Sequence, residues 1–233
     1  MLSQRVVLSV LAASSLLLTP GTARALTIAE TDAGETLATA QVLNTEPFAD
    51  TQIDITGSLS APGDGPSDLA DLYSVFLTPG TYTASTVGFT ATGGTAEPFD
   101  TQVFLFDGSG AALLFNDNAA GGGSESTLSF TIATTGTYYL GISLFDYDPV
   151  NAATQFLFPD NDNPGTPAGT APLSLADLAL NGFAVNQSEP TLGGLGSGTY
   201  TLQLAPEPAV ATNLWLVGVL GLGITRLRRS RHK

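Results

Sequence analysis

Leu72-Tyr73-Ser74-Val75-Phe76-Leu77-Thr78-Pro79-Gly80-Thr81-Tyr82-Thr83-Ala84-Ser85-Thr86-Val87 decides the fold class. Aromatic and β-branched residues fill both halves, and a Pro-Gly pair separates them. Side chains of that kind fit a pleated, half-buried surface. Proline followed by glycine at the centre of the break suits a type II turn, with Thr81–Val87 as the returning strand. Working outward, the same period of two recurs. Gln52-Ile53-Asp54-Ile55-Thr56 alternates upstream. Downstream, Gln102-Val103-Phe104-Leu105-Phe106 is closed by Asp107-Gly108-Ser109-Gly110 and answered by Ala112 to Phe115, the pattern of a hairpin. Leu128 to Ile132 and Tyr138 to Leu144 form a further pair joined through Thr134-Thr135-Gly136, and Thr199 to Leu204 is the last strand. The expectation is an all-β domain: an antiparallel, jelly-roll-like β-sandwich. The stretch 146–197 is rich in Pro, Gly, Asn and Asp and is too long for an ordinary loop. It reads as an elaborated surface excursion between two strands, with one short helical turn at Leu175 to Leu180.

Charge is segregated along the chain. Of 233 residues, 21 are Asp or Glu, and all of them lie between Glu30 and Glu207. The seven Lys and Arg are Arg5, Arg24, Arg226, Arg228, Arg229, Arg231 and Lys233, and the single histidine is His232. The body therefore has no basic side chain. Nucleic-acid partners are excluded, because phosphate binding rests on Lys and Arg. No body carboxylate can form an internal salt bridge, so each must meet water, a hydrogen-bond donor or a metal cation. Disorder is the alternative for so acidic a chain, but 43% apolar residues in alternating runs argue for a packed core. There is no cysteine, which removes disulfides, thiol catalysis and zinc-thiolate sites.

The two ends read as targeting segments. Arg5 precedes an apolar run from Val6 to Leu18, Pro20-Gly21 breaks it, and Ala23-Arg24-Ala25 supplies small residues at Ala23 and Ala25 for cleavage before Leu26. That is a secretory signal peptide over 1–25, a helical segment used by the secretion translocon. At the other end Pro206-Glu207-Pro208 precedes the uncharged, mostly apolar stretch 209–225, which is near the lower length limit for a transmembrane helix. Arg226, Arg228, Arg229, Arg231 and Lys233 follow, and the positive-inside rule puts them in the cytoplasm and the acidic body, 26–205, outside it.

The Pro-Glu-Pro triplet, short apolar helix and arginine cluster of 206–233 resemble the PEP-CTERM sorting signal of Gram-negative bacteria. The resemblance implies an exosortase-type membrane peptidase as partner. Pro206, Glu207 and Pro208 would be its recognition element, and Arg226, Arg228, Arg229 and Arg231 the stop. It also implies passage through the inner membrane to the cell surface, or to an exopolysaccharide or biofilm matrix.

The segment 29–40, Asp68-Leu69-Ala70-Asp71-Leu72-Tyr73-Ser74-Val75-Phe76, Phe99-Asp100-Thr101-Gln102-Val103-Phe104-Leu105-Phe106-Asp107 and Gly136-Thr137-Tyr138-Tyr139-Leu140 resemble, in order, the bacterial pre-peptidase C-terminal domain. Gly34 stands where an Asn is usual in that family, and the long insertion departs from its pattern. The resemblance implies a small jelly roll that accompanies secreted enzymes or surface proteins and takes calcium, with Glu30, Asp32, Glu35, Asp68 and Asp71 as the ligand set.

Chemistry outside the ends is limited to oxygen. Without His, Cys, Lys or Arg in the body there is no Ser-His-Asp triad, Cys-His pair or lysine nucleophile. A carboxylate pair acting on a glycoside is the one hydrolytic option, and no pair is singled out by the sequence. Calcium, which takes six to eight oxygen ligands, suits the carboxylates better. Asp146-Tyr147-Asp148 and Asp160-Asn161-Asp162-Asn163 are further dense clusters. Tyr138, Tyr139, Phe145 and Tyr147 are candidates for a sugar-binding face. The leading reading is an exported, non-enzymatic surface or matrix protein stabilised by calcium. A carbohydrate-binding module and, after it, a glycoside-acting hydrolase are the alternatives.

Overall fold

The computed structural model describes residues 25–31, 33–47, 51–61, 67–91, 100–120, 123–159, 170–186 and 197–207. The segments 1–24 and 208–233 lie outside them. With them fall the expected signal helix, the stretch 209–225, Ala23, Pro208 and the arginine cluster. Among the described residues no helix is long and apolar enough to cross a membrane.

Among the described residues twelve strands form the body: β1 (Ala25–Ala29), β2 (Gln41–Val42), β3 (Gln52–Leu59), β4 (Ala70–Leu77), β5 (Gly80–Ala91), β6 (Thr101–Phe106), β7 (Ala112–Asn116), β8 (Thr127–Ile132), β9 (Gly136–Leu144), β10 (Tyr147–Val150), β11 (Gly182–Val185) and β12 (Gly198–Pro206). One sheet has the order β1-β3-β12-β5-β8 and the other β2-β4-β9-β6-β7, while β10 and β11 form a separate pair. The alternation seen in the sequence sets which face is buried. Ile53, Ile55 and Leu59 of β3 and Leu202 and Leu204 of β12 point inward from the first sheet. Tyr73, Val75, Leu77, Val103, Leu105, Leu140 and Ile142 meet them from the second. Intervening residues such as Asp54, Thr56 and Ser58 stay partly or fully exposed.

Three expectations are corrected. The sheets are mixed, not purely antiparallel: β1 runs parallel to β3, and β2 parallel to β4. The chain leaves β1 for the opposite sheet before β3 begins, so neither leading strand is followed by a hairpin partner. The Thr78-Pro79-Gly80 break is not a hairpin turn. β4 pairs with β9, β5 pairs with β12 and β8, and the break carries the chain from one sheet to the other. Gly80 does not take the positive φ that a type II turn requires. The Thr134-Thr135-Gly136 connection is likewise a crossover, since β8 lies in the first sheet and β9 in the second. Only β6 and β7 form the expected hairpin. There Asp107 Oδ1 accepts hydrogen bonds from Ser109 N, Ser109 Oγ and Ala111 N at 2.8, 2.6 and 3.0 Å, and Gly110 takes φ +83°.

The stretch 146–197 is more than a surface excursion. Leu157, Phe158, Leu180 and Phe183 cover the outer face of the second sheet, packing on Leu72, Phe104, Phe106 and Phe115 as a second apolar core. That outer face would otherwise expose three phenylalanines. The same segment also guards an edge. Thr170 exchanges backbone hydrogen bonds with Phe115 at 3.2 Å, and Ala112 N–H donates to Leu178 O at 3.0 Å, so the outer side of β7 is paired. The expected helical turn at 175–180 is absent: Ala179 forms a bridge to Ala111 instead.

Chain direction gives the sandwich two different poles. Ala25 sits beside Gln52, and Leu204 beside Ile53, so the start of β1 and the end of β12 share one pole. Gly198 sits beside Leu59 at the other, about 23 Å away by strand rise.

Phe158 tests whether the insertion belongs to the core. Its ring lies 4.9 Å from that of Phe115 and 5.7 Å from that of Phe104. Phe158→Ala should cost about 3–5 kcal/mol in a urea unfolding curve. A loss under about 0.5 kcal/mol, usual for a surface change, would refute the second core.

Candidate functional site

The pole remote from Ala25 and Pro206 gathers carboxylates. Glu30 follows β1, and its N–H donates to Thr56 O at 2.8 Å. Asp68 precedes β4 and exchanges two backbone hydrogen bonds with Ser60, at 2.7 and 2.9 Å. Asp71 lies two residues before Tyr73 on the inward face of β4 and is 1% exposed. The end of β1 and the start of β4 thus bring Glu30, Asp68 and Asp71 to one end of the sandwich.

At their centre is a hydroxyl chain that links the sheets. Tyr200 of β12 donates its hydroxyl hydrogen to Asp71 Oδ2 at 2.6 Å, and its oxygen also contacts the Tyr73 hydroxyl. Burial raises the Tyr73 hydroxyl far above the ordinary phenol range, and the negative charges of Asp71, Glu30 and Asp68 raise it further. Tyr200 is raised by burial and then by Asp71 in the same way. Both phenols therefore stay protonated and serve as donors. The Tyr200 ring fits because residue 57, beside it on β3, is glycine: a Cβ there would fall on the Tyr200 hydroxyl. Glu30, Thr56, Gly57, Ser58, Thr199, Tyr200 and Thr201 line an open depression of about 410 Å³ at this pole.

Glu35 is engaged separately. Its carboxylate accepts a hydrogen bond from Tyr147 Oη at 3.1 Å. Burial raises its carboxyl above the ordinary range, and the Tyr147 bond partly offsets this. Gly34, where the family pattern has Asn, takes φ +49° and its carbonyl accepts from Leu72 N at 3.1 Å, so this leading segment is fastened to β4. Asp32 lies outside the described residues. Among those residues no three Asp, Glu, His or Cys side chains stand close enough to hold a metal by themselves. Glu30, Asp68 and Asp71 share one neighbourhood without closing around a point.

The remaining candidates disperse. Asp148 is tied to Asn186 Nδ2 at 3.1 Å, which fastens β10 to β11, and 160–163 lie outside the described residues. The four aromatics form no exposed platform. Tyr138 and Tyr139 point to opposite faces of β9, Tyr147 stacks on Phe183, and each of these and Phe145 is half-buried. At the opposite pole Pro206 ends β12, and Glu207 N–H donates to Thr81 O at 2.8 Å. The first two residues of the Pro-Glu-Pro triplet are therefore fastened to β5.

Residues 70–144 match the family model of the bacterial pre-peptidase C-terminal domain. The matched span runs from β4 through β9 and includes Asp71 and Tyr73. β1 to β3, the insertion and β12 lie outside it, so Glu30, Asp68 and Tyr200 come from strands that flank the matched unit. No curated protein matches the chain. The fold and the match together establish a β-sandwich with a region like the pre-peptidase C-terminal domain.

Tyr200→Phe isolates the hydroxyl chain, because it keeps the ring and removes one donor to a buried carboxylate. The variant should lose about 2 kcal/mol in urea unfolding. Stability equal to wild type would mean that Asp71 is held by its other contacts alone.

Proposed function

We propose that this chain is an exported, non-enzymatic domain of the cell surface or extracellular matrix, sorted through its Pro-Glu-Pro tail by an exosortase-type peptidase and stabilised by calcium at its carboxylate-rich pole. The observation that carries the reading is the placement of the ends. The body starts at Ala25 and finishes at Pro206 on one pole, while Glu30, Asp68 and Asp71 gather on the other. Segments joined at both ends would meet the membrane from one side and leave the acidic pole facing outward, toward medium or exopolysaccharide.

Calcium fits the donor chemistry of that pole. Glu30, Asp68 and Asp71 offer hard oxygens, and residues 26–208 contain no Lys or Arg to neutralise them. The described carboxylates leave room in the ligand set for Asp32, backbone carbonyls and water. Hydrolysis of a glycoside is poorly served, because the open depression has one carboxylate, Glu30, where two are needed. Saccharide binding is the weaker alternative: the depression offers the hydroxyls of Thr56, Ser58, Thr199 and Thr201 but no exposed aromatic ring.

Two measurements test the proposal separately. Intact-mass spectrometry of the protein recovered from its native host should give a chain that begins at Leu26 and has lost the apolar tail. Recovery of the uncut chain from the cytosol would refute the sorting reading. For the metal, calcium at about 100 times its dissociation constant should raise the melting temperature by roughly 5–10 °C, and chelator should reverse the rise. Asp71→Asn should remove part of the rise. No response to calcium or chelator would remove the metal from the proposal.

A further inference from the structure

A second polar corner lies at the same pole, between the start of β6 and the end of β7. The β6–β7 pairing sets Val103 beside Asn116. β7 ends at Asn116 and the chain bends at Asp117 and Asn118, where Asn118 takes φ +149°, so strand alternation stops and both residues follow at the start of β6, near Asp100. The connection toward β8 is fastened to the same place. Thr101 N–H donates to Ser124 O at 3.3 Å, Ser126 Oγ donates to Thr101 O at 2.6 Å, and Ala119 N–H donates to Glu125 O at 2.6 Å. Asn116 Oδ1 accepts from Thr127 N at 2.8 Å. The corner is thus held by hydrogen bonds that leave Asp100 Oδ1 and Asn118 Oδ1 unused.

Those oxygens are buried and short of donors. Asn118 is 7% exposed, and its amide oxygen accepts no hydrogen bond. Asp100 Oδ1 is equally enclosed and also accepts none. Asp117 is 2% exposed. Buried acceptors without donors are rare, and a buried charge without a partner is costly. Burial pushes the Asp100 carboxyl up to about 6, a rise that the Thr101 N–H only partly offsets. Lys and Arg are absent from the whole span 26–208, so no side chain can supply the missing charge.

We infer that Asp100, Asp117 and Asn118 form a second site for a hard divalent cation, with calcium as the ion of the exported setting. Two carboxylates and an amide oxygen are a hard-oxygen donor set, which loop carbonyls and water complete in calcium sites. The site shares no residue with the Glu30, Asp68 and Asp71 cluster and does not depend on it.

Calcium titration calorimetry of the full chain tests this. Wild type should bind one more ion than the Asp100→Asn/Asp117→Asn variant, and in chelator that variant should melt above wild type, because it buries two fewer carboxylates. Equal stoichiometry in the two proteins would overturn the inference. Asp71→Asn separates the two sites. One ion lost in Asp71→Asn but retained in the double variant would uphold the first cluster and refute this one; the converse would refute the first alone. Should the double variant fail to fold, Asn118→Ala keeps both charges and should weaken one site at least tenfold. An unchanged dissociation constant would refute the assignment.

Discussion

The constraint on which the structure depends is that its carboxylates have no cationic side chains to meet. In most proteins a buried Asp is matched by Arg or Lys. Here residues 26–208 contain neither, so each buried carboxylate must be served by an O–H, an N–H or an ion from outside. The hydroxyl chain of Tyr73, Tyr200 and Asp71 is one consequence. Two phenols raised far beyond their usual range act as permanent donors, and through them a charged group sits between two sheets. Asp107 shows the cheaper solution. It stays near the surface and collects three hydrogen bonds from its own turn, which lower its carboxyl against the opposing effect of burial.

Topology concentrates this problem at one end. The hydrophobic alternation of β3, β5, β9 and β12 leaves the middle of the sandwich largely apolar, with Ile53, Ile55, Leu140, Ile142, Leu202 and Leu204 among its buried side chains. Polar residues are then pushed to strand ends. Glu30, Asp68, Asp71, Asp100 and Asp117 all lie within two residues of a strand terminus, and they fall at the pole opposite Ala25 and Pro206. Ala25 and Pro206 on one side and the acids on the other are therefore separated by the length of a strand, an arrangement produced by ordinary burial that also suits a domain tethered from one side.

The strands were legible in the sequence, but their partners were not. Period-two alternation in Leu72–Leu77 and Thr81–Val87 is the same whether the next strand pairs edge to edge or packs face to face. Thr78-Pro79-Gly80 carries turn chemistry compatible with both. Only contacts distant in sequence, Tyr73 beside Leu140 and Tyr82 beside Phe130, decide between them. The insertion was misjudged because its composition is that of a loop. Its few apolar residues, Leu157, Phe158, Leu180 and Phe183, are too sparse to show a period, yet they face a sheet whose outer surface is unusually rich in phenylalanine. The run Gln102-Val103-Phe104-Leu105-Phe106 held a signal for that cover: an uninterrupted apolar strand is buried on both faces. Of the site, Glu30, Asp68 and Asp71 could be grouped only through a family resemblance, since no local spacing joins them. Tyr200 as their donor, and Asp100, Asp117 and Asn118 as a second group, were hidden inside sequences that read as strand and turn.

Taken together, the proposed metal sites give the missing countercharge a physical logic. A body with 21 carboxylates and no base repels itself where calcium is scarce, and the repulsion is greatest at the pole where Asp71, Asp100 and Asp117 are buried. Divalent ions bound there would act only on the folded state, because these carboxylates share one pole only after β1, β4, β6 and β7 have met. The ion would then stabilise the sandwich in proportion to its concentration. On the proposed export, such a chain would be least stable in a calcium-poor cytoplasm and most stable once outside. On that proposal, the segregation of acids into the body and bases into the ends would link the order of the sequence to the place where the domain gains its stability.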